Sequence, residues 1–469
     1  MLKDIIKKEI LETITSAKFV FTFLLCAVLI LLSVYTGLTN FQADKKEFSA
    51  AVALNKKNLE NQSSYQSLAG LGTKINKPPQ VLGAIASGVD EAVGRVASVN
   101  IAYDPNLVDS KYESSPVFSV FGALDLTYIV KIVLSLFAIL FTYDAIVGEK
   151  ERGTLKLMLS NKVPRDRLIL GKVIGGFISL LIPLIIPLIL SLLIILVYPN
   201  ITMSGEDWIR LLLMFLMFFL YLSVFFTLGL LVSARTNKSS TSFLILLFIW
   251  VTFVTIIPKV SVMAAGRLYP IPSVHEITAK KDAFLQQIQG TSQKEALDWI
   301  KANSPKTPQE QTAFQEKLKK WLEDFQQEVT AKIDANNAAL ERDYQSRKKS
   351  QEMLAINLSR VSPASALTFS TMSLARTGLD EHESFLASIR AYKPIFTKWA
   401  NAKMMRNLNF TGAAQTVKVV LDDMPMHKFD SESLGKSFSR TLPDFGLMLF
   451  LIIIFFAGAY VSFLKYDVR

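Results

Sequence analysis

Six stretches of the chain are almost continuously apolar over a length that crosses a bilayer. They lie at residues 19–37, 126–147, 175–197, 211–232, 242–260 and 442–464. About 18 or more apolar residues in a helix span the hydrocarbon core of a membrane. Because several of these stretches are apolar on all sides, buried core helices of a soluble protein are a poor alternative. The pattern predicts an all-α polytopic membrane protein with six transmembrane helices.

The distribution of positive charge predicts how these helices are oriented. Lysine and arginine are concentrated in four connections: residues 1–18, residues 148–174, the short turn with Arg235 and Lys238, and residues 465–469. Short loops rich in these residues stay on the cytoplasmic side. We therefore expect both termini in the cytoplasm, a cytoplasmic loop at 148–174, and two extracytoplasmic insertions, at 38–125 and 261–441.

Residues 1–18 have the spacing of an amphipathic helix. Leu2, Ile5, Ile6, Ile10 and Ile14 recur at steps of three and four, with lysines and glutamates between them. Such a helix lies in the membrane interface with its apolar side towards the lipid or the protein. A frayed polar segment leading into the first span is the alternative.

The larger insertion is expected to be mainly helical. Apolar residues from Phe314 to Tyr344 follow steps of three and four, and neither proline nor glycine interrupts residues 309–354. This stripe predicts a long helix that packs against a second helix or a second subunit. The smaller insertion is broken by Lys77-Pro78-Pro79, and no catalytic constellation is recognisable in it.

The composition agrees with a membrane protein and indicates which kinds of partner are expected. Of 469 residues, 51% are hydrophobic and 19% are charged, which argues against an ordinary cytosolic enzyme. The formal charge of +11 resides largely beside the apolar stretches, so it favours lipid headgroups and not nucleic acid as the partner. The single cysteine, Cys26, excludes a disulfide within one chain.

The sequence lacks its own energy-coupling chemistry. Gly435-Lys436-Ser437 resembles the end of a phosphate-binding loop, but Asp430 stands where the first glycine is required. His382 lies in an acidic run that is typical of a first helical turn, and no second histidine stands at a helical spacing from it. We predict no catalytic residue, no metal site and no cofactor in this chain.

A dense motif follows the second apolar stretch. It comprises Asp144, Gly148, Glu149, Lys150, Glu151, Arg152, Gly153, Thr154 and Leu155, and it continues through Ser160 to Pro164-Arg165 and Gly171-Lys172. The two glycines can form turns, the charged residues give a polar face that can rearrange, and the leucines can anchor a short helix. From the residues alone, an ordinary amphipathic loop with positive-inside charge is an equally good interpretation.

This motif resembles the loop of permease subunits of ATP-binding cassette (ABC) exporters of the ABC-2 type, which reads approximately D-x-x-x-G-E-[KR]-E-x-G-T-L-x-x-L-L-S. In that family the short helix here is a coupling helix that enters a groove of the ATPase subunit. The resemblance extends to the N-terminal amphipathic helix and the six-span topology. Further matches to a bacterial branch with large extracytoplasmic insertions are Lys77-Pro78-Pro79, Phe121-Gly122, Arg360-Val361-Ser362-Pro363 and the closing Phe463 to Arg469.

The resemblance implies a permease subunit of a bacterial ABC transporter in the inner membrane, with export as the family expectation. It is not an enzyme itself: ATP and Mg²⁺ would be bound by separate ATPase subunits, and a second permease subunit, identical or not, would complete the transporter. A partner outside the membrane stays open. Pro183 and Pro187 mark where the third span could bend. The alternative function is a membrane-anchored helical sensor or scaffold without transport.

Overall fold

A computed structural model of the chain describes residues 2–101, 105–108, 124–160, 164–199, 201–305, 311–406 and 419–466. Phe121 and Gly122, and residues 467–469 of the predicted tail, lie outside this described part. The chain forms two compact units, one made of Met1–Ile256 with Val361–Arg469 and the other of Ile257–Arg360.

The described residues are mainly α-helical. In the first unit the helices are α1 Leu2–Ile14, α2 Ala17–Glu60, α3 Tyr65–Leu71, α4 Asp90–Val93, α5 Leu126–Ile129, α6 Ser135–Thr142, α7 Val147–Glu151, α8 Thr154–Ser160, α9 Arg165–Val197, α10 Gly205–Arg235 and α11 Ser239–Val251. The second unit contains α12 Ile257–Leu268, α13 Val274–Asn303 and α14 Gln311–Ser359, after which the first unit resumes with α15 Pro363–Leu374, α16 Leu379–Arg406 and α17 Leu434–Leu464.

Short non-α elements complete the description. A 3-10 turn covers Val81–Ala84, and π turns cover Val130–Leu134, between α5 and α6, and Thr252–Ile256, after α11. The strands are β1 Thr73–Asn76, β2 Val96–Val99 and β3 Asn106–Val108.

The predicted fold class is confirmed. Six helical segments in the described residues are long and apolar enough to cross a membrane, and we number them spans 1 to 6: Ala17–Glu60, Leu126–Glu151, Arg165–Val197, Gly205–Arg235, Ser239–Leu268 and Leu434–Leu464. The helix of span 1 has 44 residues, so it continues well beyond the apolar stretch that predicts it.

Span 4 lies at the centre of the first unit. It packs against α17, α6 and α15, and a larger share of its apolar window is buried than in any other span, 61%. Phe218, Tyr221 and Phe225 are fully enclosed there. Its first turn is fixed by a capping box, in which Ser204 and Asp207 satisfy each other's backbone N–H groups.

The smaller insertion contains a three-stranded antiparallel sheet in the order β1-β2-β3, an addition to the all-helical expectation. Thr73 pairs with Val99 and Val96 pairs with Val108. Gly72 permits the turn into β1, since its φ is +74° and a Cβ there would lie 2.1 Å from the carbonyl oxygen of Val99. Apolar side chains of the sheet share a core with α16, whose Phe385 and Phe396 are fully buried.

In the second unit, the predicted apolar stripe packs on another helix of the same chain. Trp321 of α14 stacks on Trp299 of α13 with ring centroids 4.6 Å apart, and Phe325 stacks on Trp321 at the same distance. The helix α14 has 49 residues. At about 1.5 Å per residue it is about 74 Å long.

Candidate functional site

The motif of residues 144–160 folds into two short helices at the end of span 2. The N–H groups of Ile146 and Val147 donate to the hydroxyl oxygen of Ser233 in α10, at 3.0 and 3.1 Å, which fixes the point where α7 begins. Gly153 separates α7 from α8 with a φ of +74°, a conformation that glycine adopts without strain. The backbone hydrogen bonds to Ser233 therefore attach the motif to span 4 independently of its charged side chains.

Glu149 lies in a buried ionic cluster of three residues, which we call the Glu–Lys–Glu triad. The Nζ atom of Lys172, in α9, is 2.6 Å from Oε1 of Glu149 and 2.8 Å from Oε1 of Glu9, in α1. All three charges belong to different helices, and the lysine is almost completely enclosed. The ammonium offsets part of the desolvation of both carboxylates, because each of them has it as an oppositely charged hydrogen-bond partner, and it also separates two carboxylates that would otherwise repel each other.

The next two charged residues bind the ends of two spans. Lys150 Nζ donates to the carbonyl oxygens of Ala234 and Thr236, at the last turn of α10, where a helix carries partial negative charge. Glu151 accepts hydrogen bonds from the backbone N–H of Ser239, at 3.1 Å, and from its hydroxyl, at the positively polarised first turn of α11. These contacts link α7 directly to spans 4 and 5.

The remaining motif residues surround this attachment. Asp144 pairs with Lys18 of span 1 at 2.8 Å, and Arg152 Nε donates to the carbonyl oxygen of Gly148 at 3.1 Å. Thr154 Oγ1 donates to the carbonyl oxygen of Glu149 at 3.4 Å, and Leu155 is fully buried. The structure thus brings Asp144 and residues 148–155 together around α7.

The solvent-facing side of the motif differs from a uniformly charged face. Glu149 is buried in the triad, and Lys150 and Glu151 bind backbone groups of spans 4 and 5. Exposed positions are Glu151, Arg152, Thr154, Lys156, Leu157 and Ser160. We call Arg152, Thr154, Lys156 and Leu157 the motif face, because these four neighbouring residues are all exposed to solvent.

Pro183 and Pro187 lie apart from the motif. Both are buried within the continuous helix of span 3, which begins at Arg165 and ends at Val197. Span 3 is nevertheless connected to the motif through Lys172.

Sequence reasoning missed Glu9, Ser233 and the packing role of the Gly171-Lys172 pair. A Cβ at Gly171 would lie 2.5 Å from Cγ2 of Ile5, and one at Gly175 would lie 2.8 Å from Cβ of Glu9. Two glycines four residues apart let α1 approach the backbone of α9 closely. The spacing of Gly171 and Gly175 was the available signal in the sequence. It indicates a place where another helix packs closely, and the predicted amphipathic helix α1 has an apolar side that needs such a partner.

Metal-binding chemistry is not evident in the part of the chain that the structure describes. No group of three or more His, Cys, Asp or Glu residues there could hold a metal ion. His382 lies in the first turn of α16, where its N–H donates to the carbonyl oxygen of Gly378 at 3.2 Å.

Comparison with known proteins identifies the family. A model of the ABC-2 family transporter proteins matches residues 4–468, almost the whole chain. The chain belongs to this family. Two proteins described as probable ABC transporter permease protein NosY are similar to short parts of it. The one from Pseudomonas aeruginosa is 48% identical over 50 residues, which are 11% of this chain and 18% of that permease. The one from Stutzerimonas stutzeri is 49% identical over 43 residues, 9% of this chain and 16% of that permease.

The resemblance drawn from the motif is thereby confirmed at the level of the family. The matched regions span less than a fifth of the length of either NosY permease. Membership of the ABC-2 family and six long apolar helices together identify a multi-pass membrane protein.

Proposed function

We propose that this chain is the transmembrane permease subunit of a bacterial ABC exporter in the cytoplasmic membrane. It works with separate ATPase subunits, which bind ATP and Mg²⁺, and with a second permease subunit. Family membership and the motif support this function. The observation that carries it is the Glu–Lys–Glu triad, which joins the motif to α1 and span 3 through one buried lysine.

These contacts give a physical route for coupling. An ATPase that moves α7 and α8 pulls on the end of span 4 through Lys150, on the start of span 5 through Glu151, and on span 3 through Glu149. Packed helices respond to such a displacement by moving as rigid bodies. Pro183 and Pro187 remove two backbone donors from span 3, and we propose that this span bends there.

The motif face is the proposed contact with the ATPase. Leu157 is 66% exposed, and Arg152, Thr154 and Lys156 are exposed around it. An exposed leucine surrounded by cationic and polar groups has the layout of a small interface, with an apolar centre and a polar rim. The matching ATPase surface would provide an apolar pocket with acidic residues at its edge.

The test is a charge placed at the centre of the motif face. Leu157→Asp in the full chain should reduce the amount of P-loop ATPase that co-purifies from native membranes, and the ATP hydrolysis of the complex, by about 30-fold, as expected for a residue worth about 2 kcal/mol at an interface. Leu297→Asp is the matched control, because Leu297 is 57% exposed but lies in α13 of the second unit. Equal recovery of an active ATPase with the two variants would remove the motif face from the coupling site.

A scaffold without transport is the second candidate, and the length of α14 favours it. A helix of 49 residues that stacks on α13 offers a long surface for binding an extracytoplasmic protein. This function predicts that the wild-type chain co-purifies with no P-loop ATPase at all. An ATPase that co-purifies with the wild type and is lost with Leu157→Asp excludes it.

A further inference from the structure

Spans 2 and 5 each contain one π turn next to α-helix, at Val130–Leu134 and Thr252–Ile256. A π turn places an extra residue in one turn of the helix and leaves the α-helical hydrogen-bond pattern, so it is rare and often lies at a functional position. Both turns contact the short helix α15. Two such turns around one buried helix call for a physical explanation.

In span 2, side chains from two other spans hold the turn. The N–H of Ser135 donates to the carbonyl oxygens of Val130, five residues earlier, and of Ile132, three residues earlier, and not to that of Lys131 as an α-helix requires. The carbonyl oxygen of Lys131 accepts instead the hydroxyls of Tyr221, at 2.8 Å, and of Ser135, at 2.6 Å. The indole N–H of Trp250 in span 5 donates to the Ser135 hydroxyl at 2.8 Å.

The same arrangement recurs in span 5. The carbonyl oxygen of Phe253, inside the second π turn, accepts a hydrogen bond from the hydroxyl of Ser362. That hydroxyl also caps α15 by accepting the N–H of Ala364 at 3.1 Å. In both spans a hydroxyl from another element is bound to a carbonyl of the π turn.

We propose that the π turn of span 2 can convert to an α-helical turn, and that the hydrogen bond from Tyr221 holds it in the π form described here. We call this hydrogen bond the lock. If the turn converts to an α-helix, the N–H of Ser135 itself can satisfy the carbonyl of Lys131, so this carbonyl has a partner in both forms. The conversion removes one residue from the turn and rotates the Leu126–Ile129 end of the span by about 100° relative to the rest. We infer that this rotation occurs during the transport cycle, a step that rests on the proposed function.

Tyr221→Phe tests the lock because it removes the hydroxyl and keeps the ring, which packs edge-on against Phe225 at 5.1 Å. Thr227→Val is the matched control. It removes another buried hydroxyl from the same helix, one that donates to Ser223 and Val224 of that helix. The replacement of Cys26 by serine provides a background without cysteine.

The readout is the position that reacts with a maleimide at the end of span 2. Single substitutions Thr127→Cys, Tyr128→Cys and Ile129→Cys are made in that background, at side chains that are 4%, 41% and 4% exposed. Without nucleotide, position 128 should react about ten times faster than either neighbour, in proportion to these exposures. In Tyr221→Phe the advantage should pass to position 127 or 129, whereas Thr227→Val should keep the original pattern.

The second arm uses the complete transporter with the wild-type Tyr221. Trapping the ATPase with ATP and vanadate should move the reactive position in the same way as Tyr221→Phe does. An unchanged pattern in Tyr221→Phe overturns the lock, and an unchanged pattern on trapping overturns the rotation. Failure of the proposed function is seen separately, as absence of ATPase from the wild-type preparation, and the Tyr221→Phe arm then decides the lock alone.

Discussion

Replacing Lys172 by methionine removes the cation of the Glu–Lys–Glu triad while keeping most of its volume. Its Nζ atom lies 2.6 Å from Glu149 and 2.8 Å from Glu9, so the variant leaves two carboxylates facing each other in a largely buried space. Their side chains are only 9% and 17% exposed. Neither carboxylate can recover full hydration without moving α1 or α7.

The expected loss of stability depends on which charged group of the triad is removed. Loss of one partner from a buried ion pair costs about 3–5 kcal/mol, since an uncompensated charge stays behind. The partial exposure of Glu9 places Lys172→Met near the lower end, at about 3 kcal/mol, which is a change of about 100-fold in the unfolding equilibrium. Glu149→Gln leaves the Lys172–Glu9 pair intact and should cost about 1–2 kcal/mol.

Thermal denaturation in detergent, followed by size-exclusion chromatography, measures this order of stability. Adding Glu149→Gln and Glu9→Gln to Lys172→Met removes both stranded charges and should restore most of the loss. Lys46→Met is the control, because Lys46 is exposed in α2. A Lys172→Met variant as stable as the control, or a triple variant no better than Lys172→Met alone, would refute the ionic account of the triad.

Two further predictions concern packing and pH. Gly175→Val should detach α1 from α9, since even a Cβ there lies 2.8 Å from Cβ of Glu9. Trypsin should then cleave residues 2–14 faster than in the wild type. Gly446→Val is the control and should leave cleavage unchanged, because open space surrounds Gly446. Burial lowers the pKa of His427 below its ordinary value of about 6.5, so the unfolded chain takes up this proton more readily than the folded one. The stability of the core around Phe385 should therefore be highest above about pH 6.5 and decrease as the pH falls below this value. Hydrogen exchange of this core should differ between about pH 7.5 and 5.5, and His427→Asn should reduce that difference. An equal difference in the wild type and the variant would contradict this.

The sequence predicted the helical spans well because their determinants are local. An apolar stretch of sufficient length must satisfy its own backbone hydrogen bonds in a lipid environment, and a helix does so without help from distant residues. The motif at Gly148–Leu155 was equally visible, as was the need of α1 for an apolar partner. The first insertion was harder, since the strands of its sheet have four or fewer residues each and are defined by pairing with one another.

The sequence by itself determined that this chain has six stretches long and apolar enough to cross a membrane and that the motif resembling ABC-2 permeases follows the second. Only the tertiary structure decided where the motif residues lie: Glu149 is enclosed with Lys172 and Glu9, while Leu157 is exposed. The positions of Glu9 and Glu149 are 140 residues apart in the chain, and no local pattern specifies that one lysine lies between them. Helix formation depends on neighbours within a few residues, whereas burial and charge pairing depend on which helices pack together.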